Sequence, residues 1–519
     1  MKNNILDRRT TMLAVLTFLS FLFRLFTATN VVIYPDSTLY LSFTKAMLNG
    51  KFSFNFSSGA ETILPPFYPL LNALLAFFTG KIESSAVFVS ALAGALLIIP
   101  VFYIAKTVYN EKSAWMSSVF VFFSPILINW SRAMLTESLF ITLFISGIAV
   151  CLYGIEKRKW VIFLISGVLI GLSYMTRVIG FVAVPILGLW IVFSFIMMSR
   201  SHDKKSGMNL KEVFVPVLIF AFGFILVTGL YLIKLHSFYG YWTLAGAYGS
   251  IKGTISYQGA ATSAGWEGAT KETAAESALS KLVKKVSVNI GNYSFALLRI
   301  LTVGIIFVIA GLLFRWKILY LVSVIVIYFA ALLVQPMSPM LDERIRYLSP
   351  VFPISLIIAS GGISRIGELI KSEGTRKVLF PVMAFIVLLS FTLHFKMFPI
   401  HFNFLGNKDS VNVHEKVGLW MKETLPHPLR VMSRKPYVPY YADAVWFGTP
   451  PTYNEVIQLA KENAVDYIVV DRGIEYYLRP NLRFLFNPAS VPEGLQFIGG
   501  IRHPQTDELF IAIYRIKRG

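Results

Sequence analysis

Apolar segments long enough to cross a lipid bilayer recur along this chain and constrain its fold more than any other feature. A helix needs about 20 apolar residues to span the hydrocarbon core. Eleven segments approach that length. They lie at residues 11–28, 84–106, 113–128, 138–155, 160–176, 178–198, 212–233, 294–314, 318–334, 346–363 and 378–396. With 55% hydrophobic residues, the sequence predicts an α-helical polytopic membrane protein with about 11–13 transmembrane helices.

Basic residues are distributed asymmetrically over the connections between these segments. When the N-terminus is placed in the cytoplasm, eighteen Lys and Arg residues fall on the cytoplasmic side, and only four arginines fall on the short outer connections. This asymmetry follows the positive-inside rule and predicts a multi-pass protein of the cell (inner) membrane with a cytoplasmic N-terminus. Because the topology accounts for the net charge of +20, we predict contact with membrane lipids and no nucleic-acid partner.

Two apolar segments near the N-terminus need separate interpretation. The run 11–28 follows Lys2, Arg8 and Arg9 as in a secretory signal, but it ends in FTATNVV without a cleavage motif. We interpret it as a retained signal-anchor. The stretch 67–80 starts beside a Pro-Pro pair and is short for a span. We predict an interfacial or re-entrant helix there, because a full span would place the basic sequence EKRK outside.

Three regions are predicted on the outer face. The loops 29–83 and 237–290 belong to a transmembrane domain of residues 1–397, and residues 398–519 form a soluble extracytoplasmic domain. The second loop is rich in Gly and Tyr, ends in an amphipathic helix expected at the membrane surface, and is predicted to close over bound reactants. In the soluble domain, LRVMSR, VDYIVVD and ELFIAIYRIK predict strands and TYNEVIQLAKENA predicts a helix, which indicates a small α/β fold.

Charged residues cluster at the outer ends of the predicted spans, where burying a charge is costly and usually serves a function. They are Asp36, Arg132, Glu137, Arg177, Glu343, Arg344 and Arg346, with Tyr347 beside the last. Two carboxylates near several arginines suit a reaction in which an acceptor loses a proton and a phosphate leaves. A divalent cation on Asp36 and Glu137 is left open. The single cysteine, Cys151, is interpreted as a small buried apolar residue, and the histidines lack zinc-ligand spacing.

Structural roles for the same residues also stay open. Asp36 is placed where it can cap a helix over 38–48 that ends at Gly50. Glu137 is placed where it can act as a first-turn acid that complements a helix dipole. A single arginine such as Arg177 can extend its charged end to the lipid headgroups.

Four sequence motifs follow one another in a fixed order over about residues 10–365: PDSTLYLSFTKAMLNGKF followed by LPPFYPLLNALLA, then SRAMLTESLF, GLSYMTRVIGF and RIRYLSPVFPI. Their order resembles glycosyltransferase family 39, of the GT-C superfamily of membrane glycosyltransferases. That family includes the protein O-mannosyltransferases and the lipid A aminoarabinose transferases. The resemblance implies a GT-C fold with a C-terminal outer domain, and no organic cofactor.

The resemblance also implies a reaction. The donor is a sugar linked to polyprenyl phosphate, used at the outer face, and the transfer inverts the anomeric centre. Asp36 matches the base or acceptor-orienting acid, Glu137 matches the second acid, and Arg346 matches the residue that faces the lipid phosphate. The remaining substrate-binding candidates are Arg132, Arg177, Glu343, Arg344 and Tyr347.

Two departures from the family pattern leave the acceptor open among a lipid, a protein and a glycan. Ser37 follows Asp36 where a second acid is common, and Ile63 and Leu64 stand where the lipid A transferases carry a lysine before the Pro-Pro pair. Two other functions also stay open: a flippase or transporter for lipid-linked sugars, and a non-catalytic glycan-binding scaffold. A transporter favours charges in mid-span, whereas here they lie at the outer ends of spans.

Overall fold

The computed structural model describes thirteen stretches of the chain. They are residues 2–28, 35–50, 54–55, 61–62, 64–202, 210–244, 278–301, 304–312, 317–333, 345–397, 408–472, 479–502 and 507–517. Some predicted features lie outside these residues. Two of them are the side chains Glu343 and Arg344. The loop 237–290 is mostly outside, and so is residue 398 at the predicted domain boundary.

Helices form most of the described chain before residue 398. They are α1 (Lys2–Thr27), α2 (Pro35–Leu48), α3 (Phe67–Thr79), α4 (Ile82–Leu96), α5 (Ile98–Val108), α6 (Glu111–Phe123), α7 (Pro125–Arg132), α8 (Glu137–Lys157), α9 (Trp160–Tyr174), α10 (Ala183–His202), α11 (Leu210–Tyr239), α12 (Ala278–Leu301), α13 (Ile305–Leu312), α14 (Ile318–Leu333), α15 (Val351–Leu369) and α16 (Glu373–Met397). A 3₁₀ turn, Val178–Val182, precedes α10. A two-stranded antiparallel pair joins β1 (Phe54–Asn55) to β2 (Glu61–Thr62).

Six helical segments in the described chain are long and apolar enough to cross a membrane. They are Arg8–Thr27, Ile82–Val108, Glu137–Lys157, Val178–Met197, Lys211–Ser237 and Val351–Leu369. The bent pair of α6 and α7 makes a seventh if it is one span. Each of the seven coincides with a predicted apolar segment, which confirms a multi-pass helical membrane protein.

The other predicted spans fall on shorter or interrupted helices. Segments 160–176 and 318–334 correspond to α9 and α14, which are apolar but shorter than 18 residues. Segment 294–314 runs across α12 and α13, and segment 378–396 lies inside α16. The total of about 11–13 spans stays a prediction, as does the placement of α3 at the interface and of α12 at the membrane surface.

The bend of 52° between α6 and α7 has a local chemical cause. Pro125 lacks an N–H group, so the Val121 carbonyl loses the donor that a continuous helix would supply. Arg24 of α1 replaces that donor: its Nη2 donates to the Val121 oxygen at 3.0 Å, and its Nε donates to Ser131 Oγ at 3.1 Å. This fully buried arginine therefore holds both sides of the bend and fixes the direction in which α7 leads toward α8.

Glycines allow α9 and α11 to pack with their backbones in close contact. A Cβ atom added at Gly167 would overlap the Phe220 carbonyl oxygen, and one at Gly223 would overlap the Leu164 carbonyl oxygen. Small residues permit this approach in membranes, where packing rather than a hydrophobic driving force holds helices together.

The C-terminal part of the chain forms a small α/β domain. Its helices are α17 (Lys408–Thr424), α18 (Tyr437–Tyr441) and α19 (Tyr453–Glu462), and its strands are β3 (Arg430–Ser433), β4 (Val445–Gly448), β5 (Tyr467–Asp471), β6 (Leu495–Arg502) and β7 (Leu509–Ile516). The sheet has the order β4-β3-β5-β7-β6, with β3 parallel to β4 and β5 and β7 antiparallel to β5 and β6. The predicted helix and three predicted strands correspond to α19, β3, β5 and β7, which confirms the α/β fold.

Candidate active site

Asp36 lies near the start of α2. The helix begins at Pro35, a favourable first residue because proline's fixed φ suits helix entry, and Asp36 lies in its first turn. The predicted cap is therefore wrong in position, since the helix starts three residues before residue 38. The predicted end is confirmed: the helix stops at Leu48, and Gly50 adopts the left-handed φ of 73°.

Glu137 is the first residue of α8 and is fully buried. The prediction of a first-turn acid is confirmed, because the carboxylate lies at the positive end of the helix dipole. A buried carboxylate also needs cationic partners, and two arginines supply them. Arg177 Nη1 lies 2.5 Å from Glu137 Oε1, and Arg346 Nε donates to the same oxygen at 2.7 Å.

Arg346 joins the two acids. While its Nε donates to Glu137, its Nη1 donates to Asp36 Oδ2 at 3.1 Å. The planar guanidinium thus holds two carboxylates that lie about a hundred residues apart in sequence, on the first turns of α2 and α8. Four of the residues that the sequence singled out therefore meet at one place: Asp36, Glu137, Arg177 and Arg346.

Tyr347 contacts this cluster through Arg177. The Arg177 guanidinium lies 5.7 Å from the centre of the Tyr347 ring and 5.8 Å from that of Phe140, which are distances at which a cation is attracted to an aromatic face. The backbone of Tyr347 is held by Tyr328, whose hydroxyl donates to the Tyr347 carbonyl at 2.9 Å. Arg177 therefore pairs with an acid and two rings in this structure.

Lys435 of the C-terminal domain also reaches the site, and sequence reasoning missed it. Its Nζ donates to Asp36 Oδ1 at 2.9 Å, so both oxygens of Asp36 have a cationic partner. The signal available was the basic pair that directly follows β3, at the carboxyl edge of the parallel strands where binding residues often lie. Nothing in the sequence indicated that this edge faces Asp36.

Three predicted substrate-binding residues remain to be placed. Arg132 is the last residue of α7 and is 2% exposed. Glu343 and Arg344 lie outside the described residues. Their predicted part in substrate binding stays a prediction.

The electrostatics of the cluster favour an ionised Asp36. Burial by itself would raise the pKa of this carboxyl, but Lys435 and Arg346 together outweigh burial and hold the pKa well below its usual range. The cluster of Asp36, Glu137, Arg177, Arg346 and Lys435 carries one more cationic group than acids. That excess positive charge suits an anionic ligand.

The donor atoms fit a metal ion less well. Both Asp36 oxygens and Oε1 of Glu137 are engaged by cationic side chains. The described residues contain no group of three or more His, Cys, Asp or Glu side chains placed to hold a metal. The divalent cation stays a prediction, and no step below passes through it.

Comparison with known proteins agrees with this fold. The family model described as dolichyl-phosphate-mannose-protein mannosyltransferase matches residues 64–227, a stretch that includes Arg132, Glu137 and Arg177 but neither Asp36 nor Arg346. No curated protein matches the sequence significantly.

Solved structures resemble the chain over most of its length. ArnT from Cupriavidus metallidurans bound to undecaprenyl phosphate is 12% identical with a TM-score of 0.53, over 99% of this chain and 98% of that one. Archaeal oligosaccharyltransferase AglB from Archaeoglobus fulgidus, in complex with an inhibitory peptide and a dolichol-phosphate, is 12% identical with a TM-score of 0.55, over 91% and 71%. Arabinofuranosyltransferase AftD from Mycobacteria is 12% identical with a TM-score of 0.53, over 98% and 42%. The resemblance seen in the sequence is confirmed: the chain has the fold of the GT-C superfamily of membrane glycosyltransferases.

Proposed function

We propose that this protein is a membrane glycosyltransferase that moves a sugar from a polyprenyl-phosphate donor to an acceptor on the extracytoplasmic face of the cell membrane. The family-model match and the shared fold support the enzyme class. Two of the similar structures hold undecaprenyl phosphate or dolichol-phosphate, which supports a lipid phosphate as the carrier. The sugar is a hexose or a pentose, and the acceptor is a lipid, a protein or a glycan.

The observation that carries the proposal is the bridge that Arg346 forms between Asp36 and Glu137. A transfer of this kind needs a carboxylate at the acceptor and cations at the departing phosphate. Here both kinds of group are held in one cluster by helices distant in sequence, so they are positioned before any substrate binds.

The chemistry follows from this arrangement as a single displacement. An acceptor hydroxyl or amine attacks the anomeric carbon, a new bond forms to that carbon, and the bond from the carbon to the phosphate oxygen breaks. The acceptor proton passes to Asp36, or to solvent while Asp36 orients the acceptor. One displacement at the anomeric carbon gives a product of inverted configuration.

As the bond to the sugar breaks, negative charge builds up on the polyprenyl phosphate, and Arg346 and Arg177 stabilise it. Guanidinium groups suit this role, because they remain charged and present paired donors to phosphate oxygens. The excess of cationic groups over acids provides the charge that the phosphate requires.

The proposal is tested by assaying purified protein in detergent with a panel of polyprenyl-phosphate hexoses and pentoses and a cell-envelope extract as the source of acceptors. We expect one donor to be consumed, its sugar to appear on an acceptor, and nuclear magnetic resonance to show an inverted anomeric centre. A transporter makes no product without a sealed bilayer, so an absence of product across the panel would contradict the proposal.

A matched pair of variants tests the role of Asp36. Asp36→Asn removes the carboxylate at nearly constant shape and should abolish transfer. Asp507→Asn makes the same change at a side chain that is 85% exposed in the C-terminal domain, and it should leave turnover unchanged. Wild-type turnover in folded Asp36→Asn protein would refute the assignment.

A further inference from the structure

The C-terminal domain docks along the whole of α2, the helix that carries Asp36. At one end Lys435 Nζ contacts Asp36 Oδ1 at 2.9 Å, and at the other Lys45 Nζ contacts Asp443 Oδ1 at 2.5 Å. Between them, Tyr440 of α18 packs against a buried cluster that includes Leu41. The contact is therefore a surface with polar links at two ends and an apolar middle.

The backbone around Lys435 is fixed on both sides. Before it, Ser433 Oγ donates to the Lys435 carbonyl at 2.8 Å, and Trp446 Nε1 donates to the Ser433 carbonyl at 2.8 Å. After it, Tyr437 stacks on His414 at 4.7 Å between ring centres. The ammonium is thus delivered to Asp36 from a segment that three neighbouring elements hold in place, unlike a lysine on a free surface.

We infer that Lys435 is a positioning residue of the active site: it holds Oδ1 of Asp36 from the soluble domain while Arg346 holds Oδ2 from the membrane domain. This inference rests on the proposed function of Asp36. It assigns the C-terminal domain a direct part in the reaction, because the Asp36 carboxylate has both of its cationic partners only when that domain is docked.

The inference predicts how activity depends on pH. Asp36 faces Lys435 and Arg346 directly, Glu137 and Arg177 lie beyond Arg346, and Tyr40 lies one turn along α2. Asp36 acts in its ionised form, and Lys435 is one of the cations that keep its pKa low. Removing that cation raises the pKa, so activity is lost at a higher pH as the solution becomes acidic.

The experiment compares the pH profiles of kcat/KM for four proteins in detergent, from about pH 4 to 8. The acidic limb set by Asp36 in the wild type lies below this range. In Lys435→Met only Arg346 opposes the effect of burial on this carboxyl, so we expect kcat/KM to fall at the acidic end of the range, where the wild type stays active. Lys435→Arg keeps a cation and should keep the limb near that of the wild type. Asp443→Asn breaks the other polar link of the docking surface without touching Asp36, and its acidic limb should not move. Lys435→Gln serves in place of the Met variant if that protein does not fold.

The outcomes separate this inference from the function it rests on. If Asp36→Asn retains transfer, the proposed function fails. If Asp36→Asn abolishes transfer but Lys435→Met keeps the wild-type acidic limb, the inference fails alone. If Lys435→Met and Asp443→Asn lower kcat equally without moving the limb, Lys435 is only a docking contact, and the inference is overturned.

Discussion

At the scale of single residues, the geometry of Arg346 makes a prediction that charge alone does not. Its Nε and Nη1 donate to two different carboxylates, and a single ammonium cannot hold both in the same geometry. We therefore expect Arg346→Lys to lower kcat by about a hundredfold or more, comparable to the loss of a positioned donor in an active site. Arg376→Lys, at an exposed position in α16, is the matched control. Steady-state kinetics on both would decide, and near-normal turnover in Arg346→Lys would show that charge suffices.

The same scale shows what a sequence can predict about a site. Asp36, Glu137, Arg177 and Arg346 were identifiable because each is a charge at the end of an apolar segment, where burial demands a reason. Lys435 carries no such mark, since it lies in a polar domain where lysines are common. Its pairing with Asp36 spans 399 positions and depends on how two domains dock, which hydropathy does not encode.

At the scale of secondary-structure elements, the close contact of α9 and α11 predicts a difference between two glycines on the same helix. A methyl group at Gly223 would overlap the Leu164 carbonyl, whereas one at Gly229 would lie 3.8 Å from the nearest atom, Ile225 Cγ2. We expect Gly223→Ala to cost about 1–3 kcal/mol through overpacking, and Gly229→Ala to be neutral or slightly stabilising. Thermal unfolding in detergent measures both, and equal melting temperatures would refute the predicted contact.

The strands of the soluble domain show which elements a sequence reveals. The three that were predicted, β3, β5 and β7, are the inner strands of the sheet, and the two that were missed, β4 and β6, are its edges. Residues of inner strands are largely buried, so those strands appear as continuous apolar runs. The edge strands are more exposed than the inner strands, and β6 contains a Gly-Gly pair and register irregularities. These two edge strands form because they pair with β3 and β7, and their own sequences carry little strand signal.

At the scale of the whole molecule, the docking of the soluble domain requires it to share a side of the membrane with Asp36. The positive-inside rule predicts that the connection between α8 and α9 lies on the opposite, cytoplasmic side. The only cysteine, Cys151, is fully buried, so its removal gives a background for labelling. Two exposed lysines are suitable labelling positions. Lys157, at the end of α8, reports on the predicted cytoplasmic side, and Lys422, in α17, reports on the side of the C-terminal domain.

These positions give a direct test of orientation. In a Cys151→Ala background, a membrane-impermeant maleimide applied to intact cells, with the outer membrane permeabilised where there is one, should label Lys422→Cys and not Lys157→Cys. After lysis it should label both, which confirms that each cysteine is reactive. Orientation matters for the proposed mechanism, because a lipid-linked donor would reach the cluster only from the leaflet that the cluster faces. Labelling of Lys157→Cys in intact cells, with Lys422→Cys protected, would invert the topology and move the proposed reaction to the cytoplasmic face.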